Sequence, residues 1–327
     1  MLLALGSAVL LILSFPNFNQ PGCAWVALVP WFVALRGLNG RQAFWWSYVV
    51  GLTFFLGSMW WLTLLVAFGG AMAIIGWLAL GAYLALYFGA FGWIVLRFKV
   101  QASRFKALHL APCTLDLILI PSAWVALEYL RAHLLSGLGW NLLGYSQASA
   151  LTAIQMADVT GVWGVSFVIV MMNTAIAHYL GAQRSRDGVN AVIVAAFCVL
   201  ATWGYGRHRL QHPEPAARFR VAVVQGNIPQ EEKWDETSRP AIMERYARLT
   251  RQAAQQSPQL IVWPETAVPG YLGLDEPLTA QVQALAQSVG TPILVGAPMG
   301  FSSRGRWSTT NSAALLQRDG ALAGRYD

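Results

Sequence analysis

QAFWWSYVVGLTFFLGSMWWLTLLVAFGGAMAIIGWLALGAYLALYFGAFGWIVL, residues 42–96, contains no Asp, Glu, Lys or Arg. A helix needs about 20 apolar residues to cross the roughly 30 Å of bilayer hydrocarbon with its backbone bonded internally. The stretch is long enough for two spans, with a break at Gly69-Gly70. Further apolar runs fall near 115–135, 156–182 and 189–206. The first 35 residues are also uncharged and are interrupted by FPNFNQPG at 15–22, which divides them into two helices. The first of these lacks a basic n-region and a clear A-x-A site, so it reads as a membrane helix rather than a cleaved leader. Seven helices are expected over 1–206.

Whole-chain composition agrees. Of the 327 residues 11% are charged and 56% hydrophobic, against roughly 25% charged in an average soluble domain, and the mean hydropathy is +0.47. This excludes a single soluble globule, and also a disordered chain, which needs low hydrophobicity and high net charge. Charge divides the chain in two. Residues 1–212 hold 11 Lys/Arg and four acids (Asp116, Glu128, Asp158, Asp187), whereas 213–327 hold 11 of each sign. The basic excess belongs to short loops between apolar runs and not to a soluble face, which argues against nucleic-acid binding.

Those loops also set an orientation. The exits of the second, fourth and sixth helices carry Arg36, Arg41, Arg97, Lys99, Arg104, Lys106, Arg184 and Arg186, while the opposite loops carry only Arg131. By the positive-inside rule the basic loops are cytoplasmic, so everything after the seventh helix is outside. Cys23, Cys113 and Cys198 lie in or beside apolar segments without ligand-like spacing; neither a metal site nor a disulfide framework is read from them.

After Arg207 the polar, Pro-containing RHRLQHPEPAARFR reads as a linker, assigned to 207–217. An alternating α/β pattern follows over 218–327. VAVVQGNI (221–228) reads as a strand, 239–256 as a helix, LIVWPETAV (260–268) as a strand ending in a turn, and 275–289 as a helix. PILVGAPM (292–299) reads as a buried strand, followed by a hairpin-like pair about Asp319-Gly320. The strand at 260–268 delivers Glu265 at its carboxyl end, where α/β sheets present functional groups, and Pro264 and Pro269 stiffen the turn. Taken alone, a strand-end Glu is more often a solvated loop residue than a catalytic one. Glu128 and Arg131 in WVALEYLR share a helical face and are expected to pair.

In spacing, VAVVQGNIPQEEKW (221–234), WPETA (263–267) and ILVGAP (293–298) resemble the nitrilase, or carbon-nitrogen hydrolase, superfamily. With the preceding helices, GWNLLGYSQ (139–147) and QMADVTGVWGVSFVIVMMN (155–173), the chain resembles the bacterial apolipoprotein N-acyltransferases over nearly its whole length. The resemblance implies a polytopic helical bundle followed by an αββα sandwich with a Glu-Lys-Cys triad, in the bacterial inner membrane, with the soluble domain on the periplasmic side. The implied activity moves an acyl chain from a phospholipid onto a cysteine thiolate. The chain then passes to the α-amine of diacylglyceryl-cysteine in an apolipoprotein, with no cofactor.

Glu265 matches the family's general base. Trp234, on a segment over the active site, and Asn311, in TTNSAAL, match further family residues, and Trp140 and Tyr145 mark the loop where lipid enters. Physics alone leaves Trp234, Trp140 and Tyr145 readable as interfacial aromatics and Asn311 as a strand-edge turn residue. The family lysine would directly follow Asp327 and the nucleophilic cysteine would come later, so the expectation is of a carboxyl-terminally truncated, inactive chain. Two competing readings are a membrane-tethered nitrilase-type amidase with water as acceptor, and a non-catalytic transporter or binding protein.

Overall fold

The computed structural model describes residues 2–102, 112–181, 186–212, 218–303 and 306–327, with the side chains of 98–102, 112–114, 301–303 and 306–307 left aside. Arg104, Lys106 and Arg184, which contributed to the orientation, and residues 213–217 of the expected linker lie outside the described residues. The chain divides into two compact units, Met1–Glu214 and Pro215–Asp327.

The first unit is helical: α1 Leu2–Ser14, α2 Pro21–Ala27, α3 Val29–Ala34, α4 Gly40–Ser58, a 3-10 turn Trp60–Leu65, α5 Val66–Gly69, α6 Ala71–Ala102, α7 Pro112–His133, α8 Leu151–Ile154, α9 Ala157–Gly181 and α10 Arg186–Gln211. Among the described residues four helices are long and apolar enough to cross a membrane: Ala71–Arg97, Leu115–Ser136, Ala157–Gly181 and Arg186–Gln211. A fifth span is available if Gly40–Ser58 and Trp60–Gly69, bent by 55°, count as one, and Leu2–Ser14 and Pro21–Ala34 are shorter apolar helices. The 42–96 run therefore breaks twice, after Ser58 and at Gly70, whose φ of 56° suits glycine. α10 continues to Gln211, past the compositional boundary at 206, because Arg207, His208 and Arg209 suit the negative end of a helix dipole.

Aromatic packing holds the bundle. Trp31 is fully buried, stacks on Phe88 at 5.3 Å and meets Phe91 and Trp124 edge-on or tilted. Its indole N–H donates to Ser47 Oγ at 3.0 Å, since a buried Trp needs an acceptor. Pro30 sits just after the α2–α3 break at Leu28, and Asn173 of α9 repairs the backbone there. Its Oδ1 accepts from Leu28 N (2.8 Å) and its Nδ2 donates to the Ala24 and Ile169 carbonyls (both 2.9 Å). In lipid such groups must be satisfied inside the protein. On the α4–α6 face, a Cβ at Gly92 would lie 1.9 Å from Ser47 Oγ, so the small residue sets the helix separation.

Glu128 and Arg131 correct the expected direct pair. Both are buried on α7, but each grips the following loop instead. Glu128 Oε1 accepts from Leu143 N (2.7 Å), and the Arg131 guanidinium donates to the carbonyls of Leu138, Trp140 and Asn141. The loop's backbone groups face the helix end and would otherwise be unbonded, which outweighs the side chains' attraction for one another.

The second unit is a five-stranded mixed sheet of order β1-β2-β3-β4-β5, with β1 Val221–Val223, β2 Leu260–Val262, β3 Ile293–Ser303, β4 Arg306–Leu316 and β5 Leu322–Tyr326. β1, β2 and β3 run parallel, connected by α11 (Arg239–Ala254) and α12 (Glu276–Val289); β4 and β5 add antiparallel. Ile261, Ile293, Val295 and Ala297 face the helices and are fully buried against Ile242, Met243, Val282 and Leu285. The described part thus forms one helical layer on one sheet. Asp275 caps α12 by accepting from Leu278 N, and Gly290 ends it in the left-handed region. The turn about Asp319-Gly320 joins β4 to β5, as its sequence indicated.

Candidate active site

β2 ends early. Trp263 N still bonds Leu294 O at 2.8 Å, but Pro264 has no N–H to continue the ladder, and the chain turns through Glu265 and Thr266 (φ 50°). Ala267 N then returns to Gly296 O at 2.7 Å. This turn lies directly on β3. A Cβ at Gly296 would be 2.3 Å from Pro264 O and 2.7 Å from Glu265 Cα, so only glycine permits the approach. Trp263 anchors the strand from below, stacked on Tyr246 at 4.8 Å with its indole N–H on Thr250 Oγ1 at 2.9 Å. Burial pushes the Tyr246 phenol above its ordinary pKa.

The Glu265 side chain is exposed at this edge, and Asn311 reaches it from β4: Nδ2 donates to Oε1 at 2.6 Å. Asn311 is placed by its register opposite Pro298 of β3. Its neighbours Thr310 and Ser312 both donate to Asp327 Oδ1, at 3.0 and 2.6 Å. These bonds, the Ser312 bond foremost, hold the Asp327 carboxyl below the usual carboxylate range, and Arg325 pairs with it at 3.1 Å. The end of β5 is therefore fastened beside Asn311.

A third element approaches from 230–238. Lys233 Nζ donates to the backbone carbonyl of Glu265 at 3.4 Å, which brings the segment carrying Trp234 beside the turn. Trp234 itself is 55% exposed. Asp235 organises the segment by accepting from Thr237 Oγ1 (2.6 Å), Thr237 N (3.0 Å) and Ser238 Oγ (3.2 Å). The Thr237 bonds, chiefly, hold its carboxyl below the usual range. Composition and spacing did not mark Lys233 as a site residue; its place directly before Trp234 was the available signal.

Glu265, Asn311 and the Trp234 segment thus converge. Trp140 and Tyr145 belong to the helical unit. Trp140 packs on Trp61 with ring centroids 5.2 Å apart, and both Trp140 and Tyr145 expose about half of their surface, 46% and 49%. Their loop is the one held by Glu128 and Arg131. Among the described residues no three His, Cys, Asp or Glu side chains gather as metal ligands. A carboxylate oriented by an amide at the carboxyl ends of parallel strands can accept a proton from a nucleophile or an attacking amine.

Two family models match. Apolipoprotein N-acyltransferase N-terminal domain covers residues 7–175, and carbon-nitrogen hydrolase covers 220–327. The apolipoprotein N-acyltransferase of Geobacter metallireducens is 36% identical over 335 residues, spanning 100% of this chain and 62% of that protein. That of Methylococcus capsulatus is 32% identical over 333 residues with the same two coverages, 100% and 62%. The chain therefore spans 62% of the length of these curated relatives. A carbon-nitrogen hydrolase crystal structure from Helicobacter pylori G27 aligns at 24% identity and a TM-score of 0.27, over 33% of this chain and 38% of that one.

Proposed function

The chain belongs to the apolipoprotein N-acyltransferase family, and from that premise we propose that it provides the membrane bundle and the general base of a lipoprotein N-acylating enzyme. A cysteine thiolate attacks the ester carbonyl of a phospholipid, and the lysophospholipid leaves with a proton. The α-amine of diacylglyceryl-cysteine in an apolipoprotein then attacks the thioester, releasing the thiolate. Glu265 takes the thiol proton in the first step and the amine proton in the second. Asn311 orients the Glu265 carboxylate, and Trp234, on the segment that Lys233 ties to the Glu265 turn, contacts the acyl donor. Trp140 and Tyr145 meet lipid at the membrane surface.

The Asn311–Glu265 bond of 2.6 Å carries this reading. It fixes the carboxylate where β2 ends, next to the fastened end of β5. The family's lysine, expected directly after Asp327, would continue β5 opposite Asn311, within the same corner as Glu265. The cysteine falls later in the family pattern. Residues 1–206 form the membrane bundle of this reading and 218–327 its nitrilase-like part, with 207–217 between them.

The chain is a membrane protein, and its basic loops favour an inner-membrane orientation with the second unit in the periplasm. An alkaline-phosphatase fusion at Pro213 is then active and one at Ala102 inactive; the reverse pattern removes this orientation. The activity is tested with a chimera that supplies the residues after 327 from the Geobacter relative, reconstituted with phospholipid and a diacylglyceryl lipopeptide. N-acylated lipopeptide and lysophospholipid are expected. Release of free fatty acid with the lipopeptide unchanged would replace acyl transfer by hydrolysis.

A further inference from the structure

The uncharged stretch of α10, residues 188–206, is 19 residues long. At 1.5 Å per residue it spans about 29 Å, close to the roughly 30 Å of bilayer hydrocarbon. Arg207, directly after it, therefore stands at the level of the lipid headgroups. The neighbouring cation Arg209 behaves differently: it pairs with Asp158 at 3.2 Å, and Tyr205 donates its hydroxyl to the same carboxylate at 2.7 Å. Among the described residues no ion pair joins Arg207 to an acid, and its side chain is exposed.

Arg207 lines a groove of about 670 Å³ together with Ser149, Thr152 and Trp203. α10 can approach α8 this closely because Gly206 has no side chain; a Cβ there would lie 1.9 Å from Thr152 O. Around Trp203 and Ala150 the groove meets a second one of about 560 Å³, walled by Val26, Met172, Ile176 and Val199. The second groove is apolar. The amide of Gln147 on its wall is already bonded to Trp25 and to the Pro21 carbonyl. The sequence therefore sets a cation and two hydroxyl side chains at headgroup depth, and an apolar channel deeper in the hydrocarbon.

We infer that this flank is a binding site for one phospholipid molecule. Its phosphate sits on Arg207 with the hydroxyls of Ser149 and Thr152, and one acyl chain lies in the apolar groove over Trp203. An arginine fork matches phosphate oxygens, and the ion pair is stronger near hydrocarbon than in water. The acyl chain adds a favourable increment for each buried methylene. The inference rests on the membrane reading alone, so it stands or falls separately from acyl transfer.

The test is native mass spectrometry of the full chain in mild detergent, titrated with phosphatidylglycerol. The unsubstituted chain is expected to retain one phospholipid with saturable affinity. Arg207→Gln should weaken it about tenfold or more, as for loss of a charge-assisted hydrogen bond. Arg97→Gln, at the far end of α6, should leave it unchanged. Equal retention by Arg207→Gln, or an equal fall in Arg97→Gln, overturns the site. Should Arg207→Gln not fold, cross-linking of the unsubstituted chain with a phospholipid bearing a diazirine in its acyl chain decides. Labelling concentrated at Trp203, Val199 and Met172 supports the site, and labelling spread evenly over the exposed faces of α6 and α10 contradicts it.

Discussion

The side-chain amide of Asn311 donates to Oε1 of Glu265 at 2.6 Å, joining β4 to the turn after β2 across 46 residues of sequence. The bond leaves the second carboxylate oxygen of Glu265 outside this contact, available for a proton. Its consequence is directional: the amide fixes the orientation of the carboxyl group, which is the base of the proposed function.

Asn311→Ala should therefore lower turnover without unfolding the domain. A hydrogen bond to a charged group is worth about 1.5–3 kcal/mol, and the exposure of this pair puts the effect at the lower end, roughly tenfold in rate. Steady-state acyl transfer by the chimera described above measures it. Unchanged turnover would reduce Asn311 to a strand-edge residue.

Gly296 gives a second test, because its missing Cβ makes room for Pro264 and Glu265. Gly296→Ala should displace the turn, costing about 1–3 kcal/mol of stability in the manner of an overpacked core, and should reduce acyl transfer. Gly324→Ala is the control: nothing lies within 4 Å of its Cβ position, so the expected change is within about 0.5 kcal/mol. Calorimetry of both variants separates the two, and equal behaviour would dissolve the close-approach argument.

Much of the architecture was legible, and the failures have physical causes. Long uncharged runs announce membrane helices because lipid tolerates little else, and α6, α7, α9 and α10 lie where those runs fall. The bend after Ser58 was hidden, since Met59-Trp60-Trp61 is as apolar as its surroundings. Strand β4 was legible only as one arm of the hairpin about Asp319-Gly320, and its reach back to Arg306 was hidden for the opposite reason: RWSTTNSAALL is rich in Ser, Thr and Asn, and its conformation is set by pairing with β3 along its whole length. Spacing made Glu128 and Arg131 look like partners, but unbonded loop carbonyls and a loop N–H claimed each of them. Glu265 stood out at the end of an apolar strand. That Asn311 meets it could not be read from spacing and came from the family resemblance, and the approach of Lys233 needed the folded chain.

Asp235 supplies a pH dependence. Its folded pKa lies below the ordinary value, chiefly through the Thr237 hydroxyl and amide. A depressed carboxylate contributes stability that is present above its unfolded pKa, about 3.9, and lost as pH falls through the folded value. The 235–238 turn, and with it the seating of the Trp234 segment, should persist as pH drops through the ordinary Asp range and loosen only below it. The Thr237 amide resonance followed by NMR should titrate with a midpoint under about 3.9. A midpoint at or above that value would show that the bonds to Thr237 and Ser238 are not kept in solution.

The most direct measurement is the rate of acyl transfer by Glu265→Gln in the same chimera, reconstituted with phospholipid and a diacylglyceryl lipopeptide. Glutamine keeps the shape and can still accept from Asn311, but it cannot take a proton. Positioned general bases contribute about 10²–10⁴-fold, so the expected result is a folded variant with turnover down at least about a hundredfold and little thioester-linked acyl chain. Near-normal transfer by that folded variant would contradict the account and return Glu265 to the status of a solvated loop residue.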